Sequence, residues 1–289
     1  MTAAEEITST IPARTERQAM DWSLVLASQG IGVELDREPQ GAWLLRVEPS
    51  DQPRAEEAIR QFRQENRGFD WHRDLPGSDF QFDGRVALWA LAVAMVYAAQ
   101  DALRQGLFDT RAVVQGEWWR AFTAVWMHQD PAHLASNLAL GVVFLGLAMA
   151  RFGAGVALLA TFLCGALANF TGLLLRPEPY VGLGASGMIM GALGMIAAQT
   201  VPLWRTGRRG TRVMLAGLGT GALIFIQTGT NPGSDVLAHL AGFGFGILIG
   251  GLATLAPAKN HFRFNRICIA LFGAISLGTL GVAMGLAPH

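Results

Sequence analysis

Residues 132–175 read AHLASNLALGVVFLGLAMARFGAGVALLATFLCGALANFTGLLL, and Arg151 is the only Asp, Glu, Lys or Arg among them. A helix needs about 20 apolar residues to cross the hydrocarbon core of a bilayer. The stretch is long enough for two such helices, joined near Arg151, and it lacks the polar face of a soluble core helix. It therefore predicts two membrane-spanning helices.

Further apolar segments on both sides raise the number of predicted spans to seven. The segments occupy residues 86–103, 132–150, 154–175, 184–203, 213–229, 236–256 and 267–286. The composition of the whole 289-residue chain agrees, with 51% hydrophobic and 15% charged residues and a mean hydropathy of +0.33. We expect an all-α polytopic membrane protein.

The N-terminal part has a different composition. Residues 1–85 hold 10 of the 22 basic and 16 of the 22 acidic side chains. Their pattern predicts a small soluble α+β domain. The expected helices and strands lie near residues 15–30, Gly32–Asp36, Ala42–Val47 and Ala55–Asn66.

Net charge and cysteine count exclude several classes of function. The formal net charge is zero, which argues against nucleic acid as a partner. The two cysteines, Cys164 and Cys268, lie in apolar runs, so neither a disulfide scaffold nor a cysteine-rich metal site is expected. No cofactor is expected either.

Basic residues predict the topology, because they favour the cytoplasmic side. They cluster in the links before the fifth and seventh segments, at Arg205, Arg208, Arg209, Arg212, Lys259, Arg263 and Arg266. Seven crossings then place the N-terminus in the cytoplasm and the C-terminus outside. The first twenty residues contain no apolar run, so no cleavable signal peptide is expected. The long link Arg104–Pro131 contains Trp118 and Trp119 and is interpreted as a loop on the outer membrane surface.

Polar side chains inside predicted spans are functional candidates, because they are costly in hydrocarbon. Ser186 begins the fourth segment after a glycine-rich link, where free backbone N–H groups and a helix dipole could activate a nucleophile. An N-cap or small packing residue is the alternative.

His239 lies near the same predicted end of the sixth segment. The two helices also carry glycine stripes, at Gly187, Gly191 and Gly194 and at Gly242 and Gly246.

Two glycine faces can pack backbone to backbone, which would bring Ser186 near His239. A serine beside a histidine base is the unit of nucleophilic acyl transfer. The alternative interpretation is that His239 only forms a structural hydrogen bond between helices. His133 and Asn137, at i and i+4, could donate hydrogen bonds to a developing oxyanion.

Two other proteolytic chemistries fit less well. A metal site at His128 and His133 has poor helical spacing, with Pro131 between, and no H-E-x-x-H occurs. The membrane aspartates Asp101 and Asp235 both lie at helix ends, unlike a catalytic aspartyl pair. Asp235 precedes His239 by four residues and is interpreted as a helix-start residue rather than a third catalytic residue.

These motifs, taken together, resemble the rhomboid family of intramembrane serine proteases. The residues are Trp119, Arg120 and Thr123 in W-R-x-x-T; His128, His133 and Asn137 in H-x-x-x-x-H-x-x-x-N; Gly184, Ser186, Gly187 and Gly191 in G-x-S-G-x-x-x-G; and Ala238, His239, Gly242 and Gly246 in A-H-x-x-G-x-x-x-G. The resemblance covers residues 85–256. The N-terminal part also resembles the cytoplasmic domain of some bacterial rhomboids.

The resemblance implies a serine endopeptidase that cleaves transmembrane helices of membrane proteins near their outer end. Ser186 would be the nucleophile and His239 its base; His133, Asn137 and the Ser186 backbone N–H would form the oxyanion hole. The expected supporting residues are Gly184, Ala185, Gly187, Met190, Trp119, Arg120, His128, Gly242 and Gly246. Trp119 and Arg120 would anchor the long link, which in this family dips sideways into the bilayer, and His128 would be structural.

The resemblance also suggests the arrangement of the chain. Residues 1–84 would form a cytoplasmic domain, 85–256 a six-helix catalytic core, and 257–289 a cytoplasmic loop and a seventh helix. The membrane would be the bacterial inner membrane. Met190 stands where rhomboids often carry an aromatic ring on the catalytic imidazole, and its sulfur could still pack against the ring. A relative that binds membrane helices without cutting them, or a transporter, are the alternative classes.

Overall fold

The computed structural model describes residues 9–38, 41–66, 81–231, 233–255 and 261–285. The chain forms two compact units, Met1–Asp79 and Phe80–His289. The predicted domain boundary at residues 84 and 85 lies slightly beyond this division. Lys259 lies outside the described residues.

The N-terminal unit is a three-stranded antiparallel sheet with two helices. Its elements are β1 (Ser9–Ala13), α1 (Glu16–Ser28), β2 (Val33–Arg37), β3 (Trp43–Val47) and α2 (Gln52–Glu65). The strand order is β1-β3-β2, and Leu26, Leu45 and Ile59 are among its buried core residues. The α+β prediction is confirmed. Strand β1 was not predicted, because its sequence STIPA does not alternate and contains Pro12, which a sheet tolerates at an edge.

The second unit is built almost entirely of helices. Its elements are α3 (Val86–Ala99), β4 (Phe108–Asp109), α4 (Thr110–Val114), α5 (Arg120–Thr123), α6 (Pro131–Phe152), α7 (Ala154–Leu175), β5 (Val181–Gly182), α8 (Ser186–Ala198), α9 (Arg208–Gly229), α10 (Val236–Leu255) and α11 (His261–Ala283). Within the described residues, seven helices are long and apolar enough to cross a membrane, with α3 and α8 extended by short 3-10 turns. The predicted polytopic fold is confirmed.

The arginine-rich links are shorter than the sequence predicted. Helix α9 begins at Arg208, so Arg208, Arg209 and Arg212 belong to its first turns, and Arg205 lies in a 3-10 turn. Helix α11 likewise includes Arg263 and Arg266. A helix can continue beyond the hydrocarbon because long arginine side chains reach water from its ends.

The link between α3 and α6 is folded into short helices and a strand, which the interpretation as a surface loop did not include. It contains a 3-10 turn, β4, α4, α5 and a second 3-10 turn. Strand β4 pairs with β5, with Phe108 opposite Gly182. Trp119 and Trp126 are buried, whereas Trp118 is exposed. Backbone groups buried beside these side chains need partners within the protein, and the pairing of β4 with β5 supplies some of them.

Helices α8 and α10 pack backbone against backbone through the predicted glycines. A Cβ atom on Gly242 would overlap the Gly187 carbonyl, and one on Gly246 would overlap the Gly191 carbonyl. Gly191 also faces Cys164 of α7, where a Cβ atom would lie 2.6 Å from the cysteine Cβ. This close approach brings the first residues of α8 and α10 to the same end of the bundle.

Helix α11 packs against α7 by an aromatic contact and a side-chain cap. Phe272 meets Phe162 edge to face, with ring centroids 5.3 Å apart. The Asn265 Oδ1 accepts hydrogen bonds from the backbone N–H groups of Gly155 (2.7 Å) and Val156 (3.2 Å). The start of α7 therefore depends on α11 for a partner.

Candidate active site at one end of the helical bundle

Ser186 is the first residue of α8 and is half-buried. Gly184, two residues earlier, has a φ of 114°, which side-chain-bearing residues rarely adopt. The Gly184 N–H donates to the Ala124 carbonyl (2.9 Å), and the Ala185 carbonyl accepts from Ile189 (2.9 Å). These two hydrogen bonds fix the chain immediately before Ser186.

His239 lies in the first turn of α10 and is 6% exposed. Its Nδ1 atom is 2.7 Å from the Gly229 carbonyl oxygen at the end of α9. Because a carbonyl only accepts, Nδ1 must carry the proton of this hydrogen bond. In the neutral ring, Nε2 then has a free lone pair, as a general base requires.

His133 and Ser186 converge on Gly184. A Cβ atom on Gly184 would lie 3.0 Å from His133 Nε2 and 3.8 Å from Ser186 Oγ. The Gln129 N–H donates to His133 Nδ1 across 3.5 Å, which leaves the ring proton on Nε2. His133 Nε2–H and the Ser186 hydroxyl therefore lie on the same side of Gly184, and a donor of this kind can stabilise an oxyanion.

Asn137 is buried one turn further along α6, and its Nδ2 donates to the His133 carbonyl (3.0 Å). This bond uses one of the two hydrogens of the amide, and the other is free to donate elsewhere. Asn137 therefore also holds the turn that carries His133.

His128 is buried beside His133, with ring centroids 5.3 Å apart. Its Nδ1 contacts the Trp126 carbonyl (3.2 Å), and its backbone N–H donates to Gln100 Oε1 (3.2 Å). Burial lowers the pKa of His128 to about 4, so the ring is neutral at physiological pH. These contacts fit the structural role expected of it.

Met190 is buried one turn after Ser186, and its sulfur faces the end of α9. A Cβ atom on Gly229 would lie 3.4 Å from Met190 Sδ. Close by, Phe225 of α9 stacks on Phe243 of α10, with ring centroids 5.0 Å apart. Met190 thus packs against the segment whose carbonyl bonds His239.

Asp235 caps α10. Its Oδ1 accepts from the Ala238 N–H (3.0 Å), and its carboxylate pairs with Arg176. Arg176 in turn lies over the Tyr180 ring, 4.2 Å from the centroid. Within the described part of the chain, no hydrogen bond joins the Asp235 carboxylate to the His239 ring. The geometry therefore agrees with a helix-start residue.

Trp119, Arg120 and Thr123 tie the α3–α6 link together. Arg120 pairs with Glu117 (2.6 Å) and donates to the Leu107 carbonyl (3.2 Å). Thr123 donates to the Gly106 carbonyl (2.7 Å). Trp119 packs in a buried cluster with Leu103, Met127 and Ala283. The W-R-x-x-T motif therefore fixes the fold of the link.

The candidate residues thus lie at one end of the bundle, but the expected hydrogen bond between Ser186 and His239 is not formed. No hydrogen bond joins Ser186 Oγ to the His239 ring among the described residues. Catalytic hydrogen bonds are often long in proteins without substrate. In the same residues, no group of three or more His, Cys, Asp or Glu side chains is placed to hold a metal ion.

Two contributors to the site were not predicted from the sequence. They are the Gly229 carbonyl, which bonds His239, and Arg176, which pairs with Asp235. A backbone carbonyl has no residue-type signature. Arg176 was interpreted only as a loop charge, and the 59 residues that separate it from Asp235 conceal the pair.

Comparison with known proteins identifies the family. The rhomboid domain model matches residues 115–255, which include every residue of the four motifs. The rhomboid-family protein YdcA of Bacillus subtilis (strain 168) is 30% identical over 153 residues, covering 52% of this chain and 74% of the relative. The chain belongs to the rhomboid family, which is a family of intramembrane serine proteases.

Two further relatives are longer than the region they share with this chain. Rhomboid protease GluP of Bacillus subtilis (strain 168) is 29% identical over 197 residues, covering 64% of this chain and 35% of the relative. RHOMBOID-like protein 1 of Arabidopsis thaliana is 28% identical over 169 residues, covering 55% of this chain and 41% of the relative. The chain therefore spans less than half the length of these two proteins.

Proposed function

We propose that the protein is an intramembrane serine endopeptidase that uses a Ser186–His239 dyad. One observation supports the proposal most strongly: the glycine-to-glycine packing of α8 on α10. That packing brings Ser186 and His239 to one end of the bundle, where His133 also meets Ser186 at Gly184. Membership of the rhomboid family supports the same reaction class.

In the proposed reaction, His239 Nε2 takes the proton of the Ser186 hydroxyl as its oxygen attacks a peptide carbonyl carbon. Negative charge then develops on the carbonyl oxygen. His133 Nε2–H, the free Asn137 amide hydrogen and the Ser186 backbone N–H are the donors assigned to stabilise that charge. The protonated His239 gives its proton to the leaving amine, and water hydrolyses the acyl-enzyme with His239 again as base.

The proposed substrates are membrane proteins cut near the outer end of a transmembrane helix. The catalytic core is assigned to residues 85–256, with residues 1–84 as a cytoplasmic domain and 257–289 as a loop and seventh helix. The proposed location is the bacterial inner membrane, with the N-terminus in the cytoplasm and the C-terminus outside. The positions of the arginines at the starts of α9 and α11 support this orientation.

A serine-directed fluorophosphonate tests the proposal without knowledge of the substrate. The detergent-purified protein is labelled as wild type, Ser186→Ala and His239→Ala. Ser28→Ala, which alters a serine of α1 that bonds only within its own helix, serves as the matched control. We expect labelling of the wild type and the control, and loss of labelling in the other two variants.

Two outcomes would contradict the proposal. Labelling that survives Ser186→Ala would show that another serine reacts. A folded wild type that stays unlabelled would favour a protein that binds membrane helices without cutting them. A labelled wild type would next be reconstituted in liposomes with single-span proteins, and the masses of the released fragments would locate the cut relative to the membrane.

A further inference from the structure

The contact between His239 and Gly229 joins the candidate base to the backbone of α9. We propose that the Gly229 carbonyl oxygen, 2.7 Å from His239 Nδ1, orients His239 and stabilises its protonated form during the reaction. Gly229 is then a positioning residue that acts through its backbone. The inference rests on the proposed function, since it requires His239 to be the base.

The place of Gly229 in α9 suits this role. Gly229 is the last residue of a 22-residue helix. The last four carbonyls of a helix accept no hydrogen bond from within that helix. The carbonyl end of a helix also carries a partial negative charge of about half an elementary charge, which favours a nearby cation. The Gly229 oxygen is therefore both available to Nδ1 and favourably placed for an imidazolium.

The contact becomes stronger as the reaction proceeds. Hydrogen bonds from a charged donor are stronger than those from a neutral one. When His239 takes the Ser186 proton, its Nδ1–H becomes such a donor. An interaction that strengthens toward the transition state lowers the barrier rather than only improving binding. We therefore expect the Gly229 carbonyl to affect the rate of the chemical step.

Within the described residues, Ser234 offers a second donor near this oxygen. Its hydroxyl lies 3.5 Å from the Gly229 oxygen but only 2.7 Å from the Asn231 carbonyl, so its better bond is elsewhere. Arg176 and Asp235, the charged residues at the end of α7 and the start of α10, are paired with each other. The imidazole is therefore the principal donor to the Gly229 oxygen.

Packing holds this oxygen in position. A Cβ atom on Gly229 would lie 2.8 Å from the Phe225 ring and 3.4 Å from Met190 Sδ, so the absence of a side chain lets both approach. Phe225 stacks in turn on Phe243 of α10. The orientation of His239 consequently depends on how the end of α9 packs against α8 and α10.

An ester substitution tests the carbonyl without changing any side chain. Replacing Thr230 by its α-hydroxy acid converts the Gly229 amide carbonyl into an ester carbonyl, which is a weaker acceptor. The chain offers a matched control in Gly219–Thr220 of the same helix: the same replacement at Thr220 weakens the Gly219 carbonyl instead. The inactivation rate constant kinact and the inhibitor constant KI are measured with the fluorophosphonate for both esters and the wild type.

We expect kinact to fall about three- to tenfold in the Thr230 ester, the loss corresponding to one weakened hydrogen bond, with KI unchanged. The Thr220 ester should keep kinact close to the wild-type value. An unchanged kinact in the Thr230 ester would overturn the inference, as would an equal loss in the Thr220 ester, because that would reflect weakening of the helix.

Glycine variants provide a second test that needs only ordinary expression. Gly229→Ala should lower kinact because its Cβ atom must displace the Phe225 ring, which stacks on Phe243 of α10, and so disturbs the packing around the Gly229 carbonyl. Gly219→Ala, with no atom within 4 Å of the added Cβ, should not change it. Equal kinact in the two variants would overturn the inference. Failure of the inference leaves the loss of labelling in His239→Ala intact, whereas failure of the proposed function removes Ser186-dependent labelling from the wild type.

Discussion

The Asp235 carboxylate pairs with the Arg176 guanidinium and also caps α10 through the Ala238 N–H. Arg176 follows the last residue of α7, and Asp235 directly precedes the helix that carries His239. The pair therefore holds the start of α10 against the end of α7. Its carboxylate is directed to these two donors rather than to the His239 ring.

A first prediction follows for Asp235→Ala. Loss of the cap should lower the free energy of unfolding by about 0.5–2 kcal/mol. The rate of fluorophosphonate labelling should fall by less than about tenfold, whereas loss of the aspartate from a serine-protease triad costs roughly 10⁴-fold. Thermal unfolding and labelling rates measure the two effects. Asp235→Asn, which keeps an oxygen for the Ala238 N–H, is the control. A triad-sized loss in Asp235→Asn would make Asp235 catalytic.

The glycine packing predicts a contrast between two neighbouring positions of α10. Gly246→Ala places a Cβ atom onto the Gly191 carbonyl and should destabilise the fold by about 1–3 kcal/mol, with loss of labelling. Gly244→Ala meets no atom within 4 Å and should be neutral or stabilising by up to about 1 kcal/mol. Melting temperatures in detergent compare the two. Equal effects would show that the close approach is not needed.

His128 predicts a pH dependence of stability. Burial, with a contribution from His133, lowers its pKa from 6.5 to about 4, so the folded protein favours the neutral ring. Protonation therefore favours unfolding: the stabilisation is complete above pH 6.5 and is lost as the pH falls from 6.5 to about 4. The loss amounts to at most about 3 kcal/mol.

The measurement is the free energy of unfolding between pH 4 and pH 7 for the wild type and for His128→Gln. The variant cannot take up the proton, so its curve should be flatter across this range, even if it is less stable overall. The same slope in both proteins would mean that another group governs the acid sensitivity.

Asn265 allows the attachment of α11 to be tested. Asn265→Leu removes the acceptor for Gly155 and Val156 and should cost about 1 kcal/mol of stability, as the loss of an N-cap does. Asn265→Asp keeps an acceptor and adds a charge that a helix N-terminus favours, so it should retain stability. Melting temperatures of the two variants and the wild type measure these changes in stability. If Asn265→Asp were as destabilised as Asn265→Leu, the shape of the amide rather than its oxygen would be important.

The sequence predicted those parts of the fold that rest on composition and spacing. Long apolar runs predicted the seven spans, and the glycine stripes at Gly187 and Gly242 predicted which helices pack closely. The folded α3–α6 link could not be predicted in the same way. Its short elements are stabilised by contacts with distant residues, such as the pairing of Phe108 with Gly182.

The same distinction between sequence pattern and tertiary contact applies to the candidate site. Ser186, His239, His133 and Asn137 have side chains whose chemistry and spacing can be read from the sequence. The Gly229 carbonyl cannot be recognised this way, because every residue carries one and only the tertiary structure selects it. Arg176 is a similar case, since its partner Asp235 is identified only once α7 and α10 are in place.

The Asn265 cap also has a consequence for biosynthesis. Helix α7 is made more than a hundred residues before the side chain that accepts from its first N–H groups. A nascent chain that has inserted only its first six spans therefore lacks this acceptor for the Gly155 and Val156 N–H groups. The start of α7 therefore receives its side-chain cap only after α11 has been synthesised and packed against it.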